Sequence, residues 1–205
     1  ANDWALNQAM RPNKFFSQRE HLQLFYAALH KRNIPVDFAR PEDNLAAYKL
    51  VIAPSLHLLA GGEADRLKLY VHTGGTLIST FNTGLVDEHN VVPASGYPYD
   101  LTDLFGLKVL EFDPLPPGEE NNLNFQPVFP ASANHPARIW CDLIEPKDCQ
   151  ILATYTRDFY AGRPAFTRNR FGDGRAIYVG TMSTPAFYDD LTGWALEQCG
   201  IKPLL

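Results

Sequence analysis

The run Leu50-Val51-Ile52-Ala53, cut off by Pro54, is apolar at every position. A strand with one face in water alternates polar and apolar residues. An unbroken run therefore predicts a strand covered on both faces, as in a parallel sheet. Parallel neighbours need long crossovers, and the flanking sequence supplies them. Upstream, Leu22, Phe25, Tyr26 and Leu29 fall at helical spacing and predict an apolar stripe on a helix over 15–32. Downstream, Ala64, Leu67 and Val71 mark a second helix, stopped by Gly74-Gly75, before the β-prone stretch 76–81. Further short strands are predicted over 4–10 and, after Pro35, over 36–39.

Strand, helix, strand, helix, strand implies right-handed crossovers and a mostly parallel sheet with helices on both faces, a flavodoxin-like layered α/β fold. The second half has another texture. Residues 111–136 carry Pro114, Pro116, Pro117, Pro127, Pro130 and Pro136 and predict an irregular surface excursion. Strands are expected over 138–144, 150–156 and 165–171. Gly172-Asp173-Gly174 then turns into 175–179 as a β-hairpin, which makes the C-terminal part hairpin-rich. Thr184 as N-cap, Pro185 at the first helical position and Gly200 beyond the end bracket a last helix, with Phe187, Leu191, Trp194 and Ala195 as its buried stripe. Residues 1–205 read as a single domain.

Composition narrows the function classes. In 205 residues, 45% hydrophobic and 20% charged, there is ample material for a folded core. A net charge of -5 argues against a nucleic-acid binder, which needs a basic face. No apolar run approaches the ~18 residues that cross a bilayer, and no signal-peptide pattern opens the sequence. A soluble cytoplasmic protein with no membrane or nucleic-acid partner is expected. Cys141, Cys149 and Cys199 are odd in number and lack CxxC spacing, against a disulfide framework or zinc site, and Cys199 reads as a small buried hydrophobe.

Layered α/β sheets bind ligands at the carboxyl ends of their strands. Pro54-Ser55-Leu56-His57 follows the first strand, and Asn82-Thr83-Gly84 then Val86-Asp87-Glu88-His89 follows the stretch 76–81. Neither segment carries a GxGxxG, GxxxxGK[ST] or GxSxG pattern, so no nucleotide cofactor and no serine-hydrolase elbow is expected. Consecutive Asp87-Glu88-His89 side chains diverge and make a poor metal site. They read as a polar loop whose carboxylates cap backbone N–H groups or form ion pairs. His57 reads as a half-buried, hydrogen-bonded residue, Glu119-Glu120 as a solvated loop, and Phe15, Phe16, Phe25 and Tyr26 as core or subunit contacts. No pair among the 23 acidic residues is marked out as a glycosidase pair. No catalytic, cofactor-binding or metal-binding residue is assigned.

The strand order and the turn after Phe81 resemble the class I glutamine amidotransferase fold, in which a nucleophilic Cys stands on that turn with a later His and Glu. Here the turn is Thr80-Phe81-Asn82-Thr83-Gly84, without a Cys, and the only late histidine is His135. A second resemblance covers nearly the whole chain. Phe81-Asn82-Thr83-Gly84-Leu85-Val86-Asp87-Glu88, Gly96-Tyr97-Pro98, Leu101-Thr102-Asp103-Leu104-Phe105-Gly106 and Glu111-Phe112-Asp113-Pro114-Leu115 follow one another. Trp4-Ala5-Leu6, Val36-Asp37-Phe38, Tyr48 to Pro54, Gly74-Gly75-Thr76-Leu77 and Gly174 to Gly180 agree as well. This order resembles the middle domain of bacterial β-galactosidases of glycoside hydrolase family 42, departing at Asn82-Thr83, at His89-Asn90 and around 93–95.

The resemblance implies a non-catalytic trimerisation domain, a homotrimer in the full-length enzyme, and catalytic glutamates in a TIM barrel of the same protein. A barrel alone typically takes about 250 residues. The stretch from Val86 to Asp113 is rich in residues suited to interfaces, and Asp87, Glu88, Tyr97, Tyr99 and Phe105 are the candidate contacts. The alternative is a small-molecule-binding or hydrolytic domain using an amidotransferase-like crevice near Asn82 to His89.

Overall fold

The structure, a computed structural model, describes residues 15–40, 42–93 and 96–204. The strand expected over 4–10 lies outside them. In chain order come α1 (Gln18–His30), a 3-10 turn (Leu45–Ala47), β1 (Leu50–Ala53), α2 (Glu63–His72), β2 (Thr76–Thr80), a one-turn α3 (Thr102–Phe105), β3 (Leu107–Pro114) and β4 (Glu120–Phe125). They are followed by β5 (Pro136–Pro146), β6 (Gln150–Tyr155), β7 (Pro164–Phe171), β8 (Gly174–Val179), β9 (Thr181–Met182) and α4 (Pro185–Gln198).

One nine-stranded sheet runs β1-β2-β8-β7-β6-β4-β5-β3, with β9 on β5. Only the β1–β2 and β2–β8 pairs are parallel. Every other named pair is antiparallel, so the layered α/β sheet is mixed rather than mostly parallel. The reason lies in the connections. A helical crossover joins β1 to β2, whereas short loops join β6 to β7 and β7 to β8, and short loops link only antiparallel neighbours.

Alternation along the central strands divides the core in two. Leu77, Ala176 and Tyr178 face α2 and α3, meeting Leu67, Val71, Leu104 and Phe105. Ile78, Ile177 and Val179 point the other way, to Phe25 and Ala28 of α1 and Phe187 and Leu191 of α4. Helices thus cover both faces, and β2 is buried along its whole length. β1 is only half-buried, because among the described residues it pairs with β2 alone. The double coverage expected of its apolar run is reached by its neighbour instead.

Four further expectations are corrected. The buried face of α1 is His21, Phe25, Ala28 and Leu29, which leaves Leu22 and Tyr26 exposed on its flank. Residues 36–39 form no strand, and Phe38 stands in solvent against the Tyr26 ring. The proline-rich stretch 111–136 contains the end of β3 and all of β4. Pro114 and Pro136 sit at strand boundaries and the other four in the connections, and β4 turns Asn121 and Leu123 inward, so an asparagine takes a core position that hydropathy assigns to solvent. Glu120 belongs to β4 and pairs with Arg138.

The local signals for the helices and the hairpin hold. Ser17 caps α1 through a bond from Glu20 N–H to its hydroxyl. Thr184 and Pro185 begin α4, whose four expected apolar residues are all buried. Phe171 pairs with Gly174 across a two-residue turn. Gly174 packs so closely on the backbone of Val71 and Gly75 that a Cβ has no room.

Candidate functional site

The chain leaves β2 through a tight turn in which Thr83 N–H donates to Thr80 C=O (3.2 Å) and Asn82 takes a left-handed conformation, φ 64°. Gly84 follows at φ 60°, where a Cβ would stand 2.7 Å from Tyr99 N. The Tyr99 N–H closes on Gly84 C=O at 2.8 Å and folds the later loop over the turn. Residues 87–91 then form a closed loop. The Asp87 carboxylate accepts from His89 N–H (2.8 Å) and Val91 N–H (3.0 Å), and Asp87 N–H returns to Val91 C=O (3.0 Å). Those N–H bonds, that of Val91 foremost, hold the Asp87 carboxyl below the usual carboxylate range. The capping role expected for this loop is what Asp87 performs.

The candidate contact residues separate. Asp87 and Tyr99 are half-buried and Glu88 is exposed. Asp100, then burial, then Asp87 and Glu88, raise the Tyr99 phenol above its ordinary value. Tyr97 and Phe105 are interior: Tyr97 donates to Asp142 Oδ1 (3.2 Å), and the Phe105 ring meets Tyr178 at 5.3 Å. With 5% and 1% of their surface exposed, both side chains are packed inside this domain. Period-2 and helical packing around β3 and α3 drew them inward, leaving Val91 and Val92 as the exposed apolar residues of this surface.

At the carboxyl ends of β1 and β2 lies a buried polar cluster only partly visible in the sequence. Ser55 N–H donates to Thr80 Oγ1 (2.8 Å), Leu56 N–H to Thr83 Oγ1 (3.3 Å), and the Ser55 hydroxyl lies 3.2 Å from His21 Nδ1. His21 stacks on Phe81, and burial lowers its pKa to about 3. His57, expected half-buried and hydrogen-bonded, is fully buried with neither ring nitrogen bonded, and burial lowers its pKa to about 4. Asn82 is buried at the elbow with both amide atoms unpartnered, and an amide cannot act as a nucleophile there.

A second polar centre went unread in the sequence. Asp142 on β5 is fully buried, accepting from Trp140 Nε1–H (2.7 Å), Tyr97 O–H (3.2 Å) and Tyr178 O–H (2.7 Å). Burial pushes its pKa up to about 7 against the pull of those donors. The one available signal was a lone acid between Trp140-Cys141 and Leu143-Ile144. His135 is buried against Asp190 at 2.8 Å, tying the loop before β5 to α4. All three cysteines are free. Cys141 is the buried one, whereas Cys199 is half-buried. Among the described residues no group of three His, Cys, Asp or Glu side chains could hold a metal.

The described residues thus form a layered α/β domain with Asn82 at the elbow after β2 and an acidic loop, 87–91, at its surface. The family described as "Beta-galactosidase trimerisation domain" matches residues 1–202, and the chain belongs to it. It is 38% identical to β-galactosidase BgaB of a Geobacillus species, over 100% of this chain and 30% of that protein. It is 34% identical to β-galactosidase BgaP of a Planococcus species, again over 100% and 30%. The crystal structure of the β-galactosidase from Bacillus circulans sp. alkalophilus superposes with a TM-score of 0.95 at 35% identity, covering 100% of this chain and 30% of that one. The chain thus spans about 30% of the length of the relatives it matches.

Proposed function

We propose that residues 1–205 act as one assembly domain of a cytoplasmic β-galactosidase of glycoside hydrolase family 42, holding three copies of the enzyme about a common axis. The hydrolysis of terminal β-galactosides then belongs to a TIM barrel elsewhere in the same protein. The observation that carries this reading is the match of the whole chain to a trimerisation domain that makes up only about 30% of its relatives. Two features support it: no helix among the described residues is long and apolar enough to cross a membrane, and the sheet elbow carries Asn82 where chemistry would need a nucleophile. Asp87, Glu88 and Tyr99 are the members of the candidate contact set that remain at the surface.

Light scattering on the full-length enzyme tests the reading. The expected mass is three subunits, falling to one when residues 1–205 are deleted. Full-length protein that is monomeric at working concentration overturns it. The 205-residue chain alone is expected to leave a chromogenic galactoside and glutamine untouched. Turnover lost on Asp87→Asn or Glu88→Gln substitution would move the chemistry into this domain.

A further inference from the structure

Phe159, at the tip between β6 and β7, is 76% exposed, more than any other large apolar side chain among the described residues. The tip beneath it is built to stay in place. Buried Asn121 on β4 donates from Nδ2 to Arg157 C=O (2.9 Å), and its Oδ1 accepts from Thr156 N–H (3.3 Å) and Arg157 N–H (3.0 Å). Asp158, at φ 70°, accepts from Phe159 N–H through its own carboxylate (2.8 Å). Ala161 N–H closes on Asp158 C=O, and Gly162 N–H on Tyr155 C=O. Tyr160 is buried below, its ring edge-on to Phe159 at 5.0 Å and its hydroxyl on Asp113 (2.8 Å). A rigid turn that holds an aromatic ring in water lowers the ordering cost of an interface anchor. Arg157 and Arg163 stand before and after Phe159 in the same tip, exposed and without an ion pair among the described residues.

The loop after β2 offers the opposite character. Val91 and Val92 are 55% and 53% exposed, the only consecutive pair of exposed large apolar residues described. Asp87 binds Val91 N–H, Glu88 follows it in the chain, and the charges of Asp100, Asp87 and Glu88 all bear on the Tyr99 phenol. Glu88 lies 4.0 Å from His89 Nε2 in the same loop. One chain therefore carries an exposed aromatic tip with two arginines and an exposed apolar pair in a loop with acidic residues. A closed ring of identical subunits uses two different, complementary patches on each copy.

We propose that the occupant of the Val91–Val92 patch is a second copy of this chain. The Phe159 tip of one copy seats on Val91 and Val92 of the next, with Arg157 and Arg163 facing Glu88 and Asp100. The proposal rests on the trimer reading above and names its contact. Opposite charge across such a contact also speeds encounter and sets orientation.

The test is charge reversal with rescue in the full-length enzyme, read as mass by light scattering across a dilution series. Arg157→Glu with Arg163→Glu is expected to raise the trimer dissociation constant at least tenfold. So is Glu88→Arg with Asp100→Asn, in which asparagine suits the left-handed backbone at Asp100. Combining the four substitutions is expected to recover at least half of that loss in free energy. Phe159→Ala weakens the trimer without any change of charge, and an unchanged thermal unfolding curve for each variant separates lost contact from lost fold. Trimers that survive both reversals and Phe159→Ala overturn the contact while leaving trimerisation intact. Reversals that each dissociate the trimer but do not rescue one another also overturn it, because the two patches then meet different partners, such as the catalytic part of the protein. A monomeric wild type overturns the trimer reading and this contact with it.

Discussion

The parallel and antiparallel halves of the sheet differ in the polar group each holds at its centre. Where β1 and β2 end, neutral groups gather (His21, Ser55, His57, Thr80, Asn82, Thr83), and several ring and amide atoms have no partner. The antiparallel half contains one buried carboxylate, Asp142, with three donors aimed at it. The difference teaches what each architecture tolerates. Parallel strands end in loops that must be covered by other segments, so short polar side chains are trapped there uncharged. An antiparallel strand between aromatic neighbours can hold a carboxyl group because Trp140, Tyr97 and Tyr178 converge on it, and burial favours its protonated form below about pH 7. An unpaired charge in the interior is costly, a satisfied one much less so.

The largest effect comes from placing a carboxylate where donors are absent. Ile78 in the middle of β2 has 0% exposure, and Ile78→Asp is expected to destabilise the chain by about 3–5 kcal/mol, the cost of an uncompensated buried charge. Urea unfolding checks it, and a loss under 1 kcal/mol would show that water reaches β2.

The converse change comes next. Asp142→Leu leaves the Trp140, Tyr97 and Tyr178 donors buried without an acceptor and is expected to cost about 2–3 kcal/mol, since each unsatisfied group carries roughly 1–3 kcal/mol before relaxation. A neutral result would mean that the three donors find water or one another.

The two halves also respond to acid with opposite sign. His21 titrates near 3 in the folded chain against 6.5 ordinarily, so the unfolded chain takes up the proton first. Stability from a neutral His21 is complete above about pH 6.5 and is lost as pH falls toward 3. Asp142 titrates near 7 against 3.8, so the folded chain holds the proton more tightly. That contribution is complete below about pH 4 and is lost as pH rises to 7. Denaturant midpoints measured from pH 4 to 8 are expected to lose their acid-side decline in part with His21→Phe, which fits among the rings of Phe16, Phe25, Phe81 and Tyr188. Asp142→Asn is expected to remove the decline toward neutrality. Parallel profiles for wild type and both variants would place the acid sensitivity elsewhere.

This contrast also decides what could be read from sequence. The α1–β1–α2–β2 unit was legible because its signals are local: apolar runs, helical spacing, a glycine stop. The hairpin at Gly172-Asp173 and the stripe of α4 were legible for the same reason. The antiparallel half was read less well. Strand β4, with three asparagines among Glu120-Asn121-Asn122-Leu123-Asn124-Phe125, owes its place to Asn121 bonding the β6–β7 tip, a partner far along the chain. At the candidate surface the capping role of Asp87 follows from spacing alone. The inward turn of Tyr97 depends on Asp142, 45 residues away, which no local pattern encodes.

The smallest effect is at the edge of the parallel half. β1 has the apolar texture of a core strand, yet each of its residues is half-buried, and water lies close enough to solvate a charge placed there. Val51→Asp in the 205-residue chain is therefore expected to cost about 1–2 kcal/mol, less than an unpaired interior charge, because a partly solvated carboxylate retains much of its hydration. The same substitution in the full-length enzyme sharpens the comparison with β2. If the cost there rises to that of Ile78→Asp, another part of the protein covers β1, and the apolar run Leu50 to Ala53 is matched to that covering. If it stays near 1–2 kcal/mol in both, β1 is a true edge, with Val51 and Ala53 packed on the Val71 and Leu77 side and Leu50 and Ile52 on the Phe25 and Ile78 side.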